Sequence, residues 1–600
     1  MEGQFDYECA KELDPVRSEL AKKLYAKLVE VYKTDDLTEV DVFRLLERPP
    51  EAHLGDYAFP CFRFAKSLRK SPIAIADALS KEFTTQDCEP WIQEIKPVGA
   101  FLNIFTNKAH LASSLLPSVL DNSYFSPKKT LSTHSKKRVM VEFSQPNTHK
   151  EFHIGHARNL CLGDSLCRIL RYLGYNTIAV NYPGDEGTHV AKCLWQVLEH
   201  GNGAPASEPN KAYWYGQKYV EAVRTLNEAS PEDKTRYEKK ISSILADIEA
   251  KRGPVYELFQ KSRQECIDDF KKIYTWMDTH FDHYFFESEV SEEAQKIVDE
   301  FIAKGLFKES EGAVGIDMSE YKLGFFMARK SDGSTPYITK DLALARRKFK
   351  DFHIEHSIYV VGSEQNFHFQ QLFKALELMG FEQAKNCFHL SYAHVRAPSG
   401  KMSSRDGTAL PFAYLRGELL KELGPYLAKY KDQWTEKEVV QTADRLAVGA
   451  IKYGMLSSDP SKEIVFDLSA WTSFEGNTGP YLMYSYARTR SVLSKAKEQG
   501  IESSFAHLDL IKHPHAHELL RNIYDFNETV NQSCEHYKPS ILANYLYNMC
   551  KAFNRFYAEV PILKSQSVDE RGALMSLLEA FSITLKKGLF LLGISPPERM

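Results

Sequence analysis

Short apolar runs and amphipathic stretches alternate in the middle of the chain. Residues 139–143 (VMVEF) form a run whose length and composition are typical of a buried strand. A loop follows, and then a helical pattern that ends near Gly174. Residues 177–181 form a second short apolar run. The order strand, loop, helix, strand predicts the opening of a doubly wound parallel sheet.

The α/β pattern is then interrupted and later resumes. Residues 200–300 are charged and mostly helical in pattern, as an insertion would be. Strand-like and helical patterns return between residues 357 and 395, and from about residue 415 the pattern is nearly all helical. We therefore expect an α/β domain over residues 138–425, with a helical insertion near 200–300, and an all-α domain over residues 426–600.

The N-terminal part of the chain has the pattern of a separate α+β unit over residues 1–115. Residues 15–32 show helical periodicity with Leu20, Leu24 and Leu28 on one face, and residues 92–105 predict strands around a turn. Residues 116–137 are polar and contain proline and serine, which predicts a linker. A chain of 600 residues is too long for one core.

Composition narrows the class of protein. The chain is 43% hydrophobic and 26% charged, with a net charge of -4, which is ordinary for a globular protein and unlike one that coats nucleic acid. No apolar run approaches the ~20 residues of a membrane span, and no secretory signal is visible. The 10 cysteines include no C-x-x-C pair, so neither a zinc knuckle nor a disulfide framework is indicated. We expect a cytoplasmic protein with reduced thiols, no membrane partner and no metal site.

The segment His153-Ile154-Gly155-His156 lies where the loop meets the predicted helix. A helix N-terminus offers free backbone N–H groups and a positive dipole end, which suit phosphates. The two histidines can donate to phosphate oxygens, and Gly155 permits a close approach of a nucleotide to the backbone. An H-x-x-H metal pair or two surface histidines would give the same letters, so the segment alone does not decide between them.

The segment Lys401-Met402-Ser403-Ser404-Arg405 follows the last predicted strand and has glycines on both sides. Lys401 could reach the β- and γ-phosphates as charge develops on leaving pyrophosphate. A solvated turn is the alternative for such a string. In this order and these contexts, the two segments together indicate an ATP site that activates a carboxylate by attack on the α-phosphate.

The two segments resemble the HIGH and KMSKS signatures of class I aminoacyl-tRNA synthetases, and their surroundings resemble the arginyl-tRNA synthetases. The resemblance covers nearly the whole chain and is weakest at residues 200–300. The other stretches that carry it are residues 141–150 (VEFSQPNTHK), 182–188 (YPGDEGT), 474–481 (FEGNTGPY) and 592–600. The resemblance implies an α/β, Rossmann-like catalytic domain with helical insertions, an N-terminal α+β domain that contacts tRNA, and a C-terminal all-α anticodon-binding domain.

One position departs from the family pattern. The second lysine of KMSKS is Ser404 here. In arginyl enzymes this loss commonly accompanies a lysine just before HIGH, and Lys150 stands there. The resemblance implies that Lys150 takes over that charge, beside His153, His156 and Lys401 as catalytic residues. Gly155, Met402, Ser403, Ser404 and Arg405 would bind the nucleotide.

The resemblance also implies an arginine pocket. Glu142, Tyr337 and Asp341 would hold the guanidinium, which needs carboxylates and planar acceptors. Asn147 and Gln365 would hold the α-amino and carboxylate end, with Ser144 nearby. Each position has a structural alternative: Glu142 as a strand surface charge, Asp341 as a helix N-terminal charge, Asn147 as an N-cap.

Contacts to tRNA are implied at both ends of the chain. Tyr484 and Arg488 belong to a stretch where aromatic and cationic residues alternate, on which loop bases could stack, although about half of such aromatics are core. Phe101 and Asn103 match positions that meet a D-loop base in some members. The family's asparagine upstream of them is Val98 here.

The expected reaction is ATP-dependent activation of L-arginine to arginyl-adenylate, followed by transfer to the 2′-hydroxyl of the terminal adenosine of tRNA(Arg), with release of AMP and pyrophosphate. Mg²⁺ would accompany ATP, and we expect a monomer. Three alternatives remain: another class I synthetase, such as one for cysteine or glutamate, a tRNA-binding paralogue without catalysis, and a tRNA-independent nucleotidyltransferase of the same fold.

Overall fold

The computed structural model describes residues 7–33, 37–49, 51–83, 90–201, 203–331, 333–396, 412–428, 430, 432–565 and 567–600. The N-terminal unit packs helices on an antiparallel sheet of order β1–β3–β2. Its elements are α1 (Tyr7–Leu13), α2 (Pro15–Tyr32), α3 (Glu39–Leu45), β1 (Tyr57–Pro60), α4 (Pro72–Glu82), β2 (Ile92–Val98) and β3 (Phe101–Thr106). Helix α2 has the predicted bounds, begins at the N-cap Asp14 and buries Leu20, Leu24 and Leu28.

The segment expected to be a linker is largely helical. Helix α5 (Lys108–Leu120) extends into it, and α6 (Lys128–His134) lies within it. The His134 ring is buried, and its Nδ1 lies 2.9 Å from the carbonyl oxygen of Leu173. Residues 116–137 are therefore packed, although their polar composition predicted an exposed connection: His134 contacts the catalytic region, and the Tyr124 hydroxyl donates to the Tyr524 carbonyl at 2.6 Å.

The middle of the chain is built on a five-stranded parallel sheet of order β11–β10–β4–β5–β6. The strands from here onward are β4 (Arg138–Glu142), β5 (Asn176–Asn181), β6 (His283–Tyr284), β7 (Lys308–Ser310), β8 (Ala313–Asp317), β9 (Phe325–Arg329), β10 (His356–Gly362), β11 (Cys387–Tyr392), β12 (Val395–Arg396) and β13 (Ile464–Val465). Strands β7, β8 and β9 form a small antiparallel sheet inserted before β10. The parallel strands with intervening helices confirm the predicted doubly wound sheet. In such a sheet the carboxyl ends of the strands lie at one edge.

Helices cover the sheet and form the insertion that the charge pattern predicted. They are α7 (Ile154–Tyr172), α8 (Thr188–His200), α9 (Lys211–Glu228), α10 (Pro231–Glu249), α11 (Gly253–Trp276), α12 (Glu287–Ala303), α13 (Tyr337–Phe352) and α14 (Asn366–Leu378). Helix α7 runs behind β4 with no room for a side chain at Gly163, where a Cβ would lie 2.1 Å from the Phe143 ring.

The C-terminal region is helical apart from the short strand β13. Its helices are α15 (Phe412–Ala428), α16 (Glu436–Leu456), α17 (Leu468–Thr472), α18 (Gly479–Glu498), α19 (Pro514–Tyr524), α20 (Phe526–Glu535), α21 (Pro539–Glu559) and α22 (Val568–Leu591). Leu20 of α2, Leu166 of α7 and Leu585 of α22 belong to one continuous buried cluster. The three regions therefore share a core.

A buried polar cluster joins the N-terminal unit to the C-terminal helices. The hydroxyls of Tyr57 and Tyr524 both donate to Asp14 Oδ1, each at 2.8 Å. The Arg48 guanidinium pairs with Asp525 and lies 3.9 Å from the centre of the Tyr57 ring. Because these groups are buried, their mutual pairing fixes how the two regions sit against each other.

Candidate active site

The loop between β4 and α7 is held at the carboxyl edge of the sheet. Three of its non-glycine residues, Ser144, Gln145 and His149, have positive φ angles, a conformation that persists only where the surroundings enforce it. The Ser144 N–H donates to Asn159 Oδ1 at 2.6 Å, and the Asn159 amide donates to the Val360 carbonyl at 2.7 Å. The loop is thereby tied to α7 and to β10.

The two histidines of the first segment begin helix α7. His153 is the N-cap, and its Nδ1 accepts the Gly155 N–H at 3.1 Å. His156 Nδ1 in turn accepts the His153 N–H at 3.2 Å. Because each Nδ1 is an acceptor, each neutral ring carries its proton on Nε2. Both rings therefore present an Nε2–H donor near a helix N-terminus.

The environment keeps both rings neutral. Burial, and then the nearby charge of Lys150, lower the pKa of His153 to about 4. Burial, His153 and Lys150 hold the pKa of His156 well below its usual value. The rings stack with centroids 3.9 Å apart. A cation beside two neutral N–H donors is an arrangement that suits a polyanion.

Gly155 leaves room for the His153 ring. A Cβ at this position would lie 3.0 Å from the His153 ring atoms Cε1 and Nδ1. The Lys150 ammonium lies 5.3 Å from the centre of the Tyr219 ring. The structure thus brings together Lys150, His153, Gly155 and His156. Lys401, Met402, Ser403, Ser404 and Arg405 lie outside the residues that the structure describes.

Burial raises the pKa of the Tyr182 hydroxyl well above its usual value, and so do four nearby acids, Asp341, Glu287, Glu142 and Asp185, which we call the acidic pocket. Glu142, at the end of β4, is 3% exposed; it forms an ion pair with the buried Lys348 and accepts the Gln145 side-chain amide at 2.7 Å. Asp341 Oδ2 lies 2.6 Å from His368 Nε2. Glu142 was predicted to hold the arginine guanidinium, and in the structure its carboxylate is already paired with the Lys348 cation.

Tyr337 and Asp341 share the first turns of α13, as their spacing predicted. The Tyr337 hydroxyl would lie 2.8 Å from a Cβ at Gly187, whose φ of 116° also favours glycine. Burial, followed by Glu287 and Glu186, raises the pKa of Tyr337 to about 12. The phenol therefore stays protonated and can donate or accept a hydrogen bond at the pocket wall.

The remaining predicted pocket residues occupy three different settings. The Ser144 hydroxyl lies 2.9 Å from the Tyr274 hydroxyl. Asn147 bridges to Gly184 in parallel register, and a Cβ at Gly184 would lie 2.2 Å from Asn147 Oδ1. Gln365 is exposed in the turn that precedes α14. Asn147 is therefore paired at the edge of the sheet, whereas the Gln365 side chain is exposed.

Glu287 is a pocket residue that the sequence reasoning missed. It starts α12 directly after β6, and its Oε1 would lie 3.3 Å from a Cβ at Gly184. Its Oε2 is buried and has no hydrogen-bond partner among the described residues. Burial raises its pKa to about 8, with Lys340 opposing and Asp185 and Asp341 adding to the shift. Strand β6 has only 2 residues, too few for a periodic signal that would place Glu287 at the sheet edge.

The predicted tRNA-contact residues lie far from this pocket. Phe101 packs edge-on against Phe62, whose side chain is 47% exposed, with ring centroids 5.6 Å apart. Asn103 alternates with the core residues Leu102 and Ile104 and so shares the face of Phe101, but it is only 3% exposed there. The Arg488 guanidinium lies 5.0 Å from the centre of the Tyr484 ring and donates to the Tyr484 hydroxyl at 3.2 Å. Tyr484 and Arg488 line an open cleft of about 650 Å³.

A parallel sheet whose first strand leads into a helix capped by His153 and His156 is the arrangement expected of a class I aminoacyl-tRNA synthetase catalytic domain. The family model for the "tRNA synthetases class I (R), catalytic domain" matches residues 118–468. The arginyl tRNA synthetase N-terminal domain matches residues 18–106, and the DALR anticodon binding domain matches residues 482–600. The chain belongs to the arginyl-tRNA synthetase family.

Full-length relatives agree with this assignment. The arginine–tRNA ligase of Bdellovibrio bacteriovorus is 41% identical over 592 residues, which cover 98% of this chain and 99% of the relative. That of Treponema denticola is 36% identical over 567 residues, covering 92% and 94%. The solved arginyl-tRNA synthetase of Thermus thermophilus matches with a TM-score of 0.80 at 26% identity, covering 97% of this chain and 100% of that one.

The reaction follows from the family. L-Arginine is activated by ATP to arginyl-adenylate, and the arginyl group passes to the 2′-hydroxyl of the terminal adenosine of tRNA(Arg), with release of AMP and pyrophosphate. The predicted function and fold class are confirmed. Within the described part of the chain, no helix has the length and apolarity needed to cross a bilayer.

Proposed function

We propose that Lys150, His153 and His156 bind the phosphates of ATP and stabilise the charge that develops as pyrophosphate leaves. The arginine carboxylate attacks the α-phosphate in line, so no covalent enzyme intermediate is needed and the side chains act by positioning and electrostatics. The observation that carries this proposal is the pair of Nε2–H donors at the start of α7 beside the Lys150 ammonium.

Mg²⁺ enters this scheme with ATP. The ion prefers several waters and substrate phosphates to a cage of protein ligands, and it would shield the phosphate charge against the incoming carboxylate. Lys401 would contact the leaving pyrophosphate, and Met402, Ser403, Ser404 and Arg405 would complete the nucleotide site. Because Ser404 stands where the family has its second lysine, Lys150 would supply that second cation.

The arginine side chain fits the acidic pocket. Asp341 and Tyr337 both lie near Glu287, and together these groups offer carboxylate and hydroxyl oxygens to a planar cation with several N–H donors. Glu142 would accept from the same guanidinium or set its position, since Lys348 already occupies one of its oxygens. Ser144, Asn147 and Gln365 would face the α-amino and carboxylate groups of the amino acid.

The tRNA would contact the chain at both ends. Tyr484 and Arg488 line a cleft in the helical region, where a loop base could stack on the tyrosine. Phe101 would meet the corner of the tRNA, and Asn103, on the same face of β3, would do so only if the side chains that cover it moved away. We propose that the enzyme works as a cytoplasmic monomer.

The decisive experiment is arginine-dependent exchange of labelled pyrophosphate into ATP, with and without tRNA(Arg). We expect exchange with arginine and not with lysine or citrulline, because the pocket selects a planar cation. Loss of exchange on substituting His153 or His156, with tRNA binding retained, would support the phosphate assignment. Full exchange in both variants would disprove it. A requirement for tRNA would indicate that tRNA completes the nucleotide site.

A further inference from the structure

Arg158 is one of the largest fully buried side chains described in the protein, and its guanidinium donates to main-chain carbonyls. Its Nη1 donates to the carbonyls of Ala393 and His394. Its Nη2 donates to those of Asp459 at 3.3 Å and Pro460 at 3.2 Å. Burial lowers the pKa of Arg158 to about 10, so the group remains a cation at neutral pH. Burying a cation is costly unless its N–H groups are well satisfied.

The four carbonyls belong to two segments that pair with each other. The Ala393 N–H donates to the Pro460 carbonyl at 2.9 Å, and the Ile464 N–H donates to the His394 carbonyl at 3.1 Å. These bonds flank the parallel pair β12–β13. His394 thus accepts from both Ile464 and Arg158 at one oxygen. The Arg158 guanidinium therefore donates to both segments at the end of β12–β13 where they begin to pair.

Arg158 lies on the same helix as the histidine pair. It follows His156 by two residues on α7, so its backbone moves with the histidine pair. Strand β12 lies directly before the part of the chain that carries Lys401. The planar Arg158 guanidinium therefore links α7, which carries His153 and His156, to β12, which precedes Lys401 in the chain.

We propose that Arg158 is a positioning residue for arginine activation, which fixes strands β12 and β13 against helix α7. The inference rests on the proposed activation of arginine at this end of the sheet, whichever side chains bind the phosphates. An apolar side chain could fill the same space, but it would leave four carbonyls without this donor and would set no defined distance between the segments. Displacements of about 1 Å in such constellations can cost about a hundredfold in rate.

The test compares Arg158→Lys with Arg168→Lys. Arg168 lies on the same helix, is also largely buried and also donates to main-chain carbonyls, those of Asp278 and Phe590. Lysine keeps the charge but loses the planar fork. In arginine-dependent pyrophosphate exchange with tRNA present, Arg158→Lys lowers kcat at least about tenfold and leaves KM for arginine within about twofold. Arg168→Lys keeps kcat within about twofold. Equal kcat values in the two variants would overturn the proposal.

A second measurement reports position directly. Amide hydrogen exchange in the full chain should quicken at Ala393 and Ile464 in Arg158→Lys, while amides inside α7 keep their protection. If lysine prevents folding, Arg158→Ala is assayed with millimolar guanidinium ion, which should restore kcat by occupying the vacated space. Unchanged amide exchange, or no rescue in a folded Arg158→Ala, would overturn the proposal.

The variant His153→Asn separates this inference from the proposed function. It should lose activity without altering exchange at Ala393 and Ile464. If His153→Asn keeps full activity while Arg158→Lys loses it, the phosphate assignment fails and the positioning role stands.

Discussion

Lys348 and Glu142 form an ion pair in which both side chains are buried, with exposures of 0% and 4%. Lys348 belongs to α13 and Glu142 ends β4, so the pair joins the helix that carries Tyr337 and Asp341 to the central sheet. The Lys348 ammonium also lies 3.9 Å from the centre of the Tyr359 ring. The pocket therefore contains a structural cation of its own beside the acids that would receive arginine.

Replacing Lys348 with methionine should destabilise the protein by about 3–5 kcal/mol, because the change leaves the Glu142 carboxylate buried and uncompensated. Urea unfolding followed by circular dichroism measures this loss. The exposed ion pair of Lys296 with Glu292 is the matched control, and Lys296→Met should leave the unfolding midpoint unchanged. A midpoint for Lys348→Met equal to that of the control would show that the buried pair does not carry this energy.

His153→Asn should lower kcat for pyrophosphate exchange by about 10²–10³, the usual cost of removing one donor to developing charge. Asparagine remains a good N-cap, so the start of α7 and the melting temperature should be kept. The variant therefore separates capping from donation by Nε2–H. A parallel drop in melting temperature and rate would point to a capping role alone.

Above pH 8, where the Glu287 carboxyl is ionised, Glu287→Gln should raise KM for arginine about tenfold or more, since a hydrogen bond to a charged group contributes about 1.5–3 kcal/mol. Burial holds the pKa of Glu287 at about 8 in the free protein. Because a raised carboxyl pKa keeps the group protonated below that value, KM for arginine should fall as pH rises through 8. The variant should lack this pH dependence, whereas Glu289→Gln, an exposed change on the same helix, should keep it. An identical pH profile in both variants would remove Glu287 from the arginine pocket.

Gly163→Ala should cost about 1–3 kcal/mol of stability and reduce exchange activity, because the new Cβ overlaps the Phe143 ring beneath the loop. Gly417→Ala is the control: this glycine is exposed in α15 with open space around it, so alanine should stabilise the helix by about 0.5–1 kcal/mol. Melting temperatures of the two variants should therefore move in opposite directions. A higher melting temperature for Gly163→Ala would contradict the close packing of α7 on β4.

The local patterns predicted much of the fold. Helix α2 has the expected bounds because its leucines repeat at the helical period and Asp14 precedes it. Strands β4, β5 and β10 were visible because each is an apolar run bounded by loops. The segment 116–137 was not, since its polar residues suggested a linker and its partners, such as Leu173, lie elsewhere in the chain.

The candidate site divides in the same way. His153 and His156 could be placed at a helix start from the sequence, and the structure puts them there. The pairing of Glu142 with Lys348 could not be seen, because it joins positions that only the folded sheet brings together. Asn103 matched a family position and shares a face of β3 with Phe101, but it is covered there, which the sequence could not show.

The shared core of the three regions has a consequence for how the chain can be cut. Leu20, Leu166 and Leu585 lie in one buried cluster. Asp14 of the N-terminal unit accepts a hydrogen bond from the Tyr524 hydroxyl of the C-terminal region. Truncation near residue 115 or 426 would uncover apolar surface on the piece that remains, not release a self-sufficient module. Heating the intact chain should accordingly melt its ends and its centre together, as one cooperative unit.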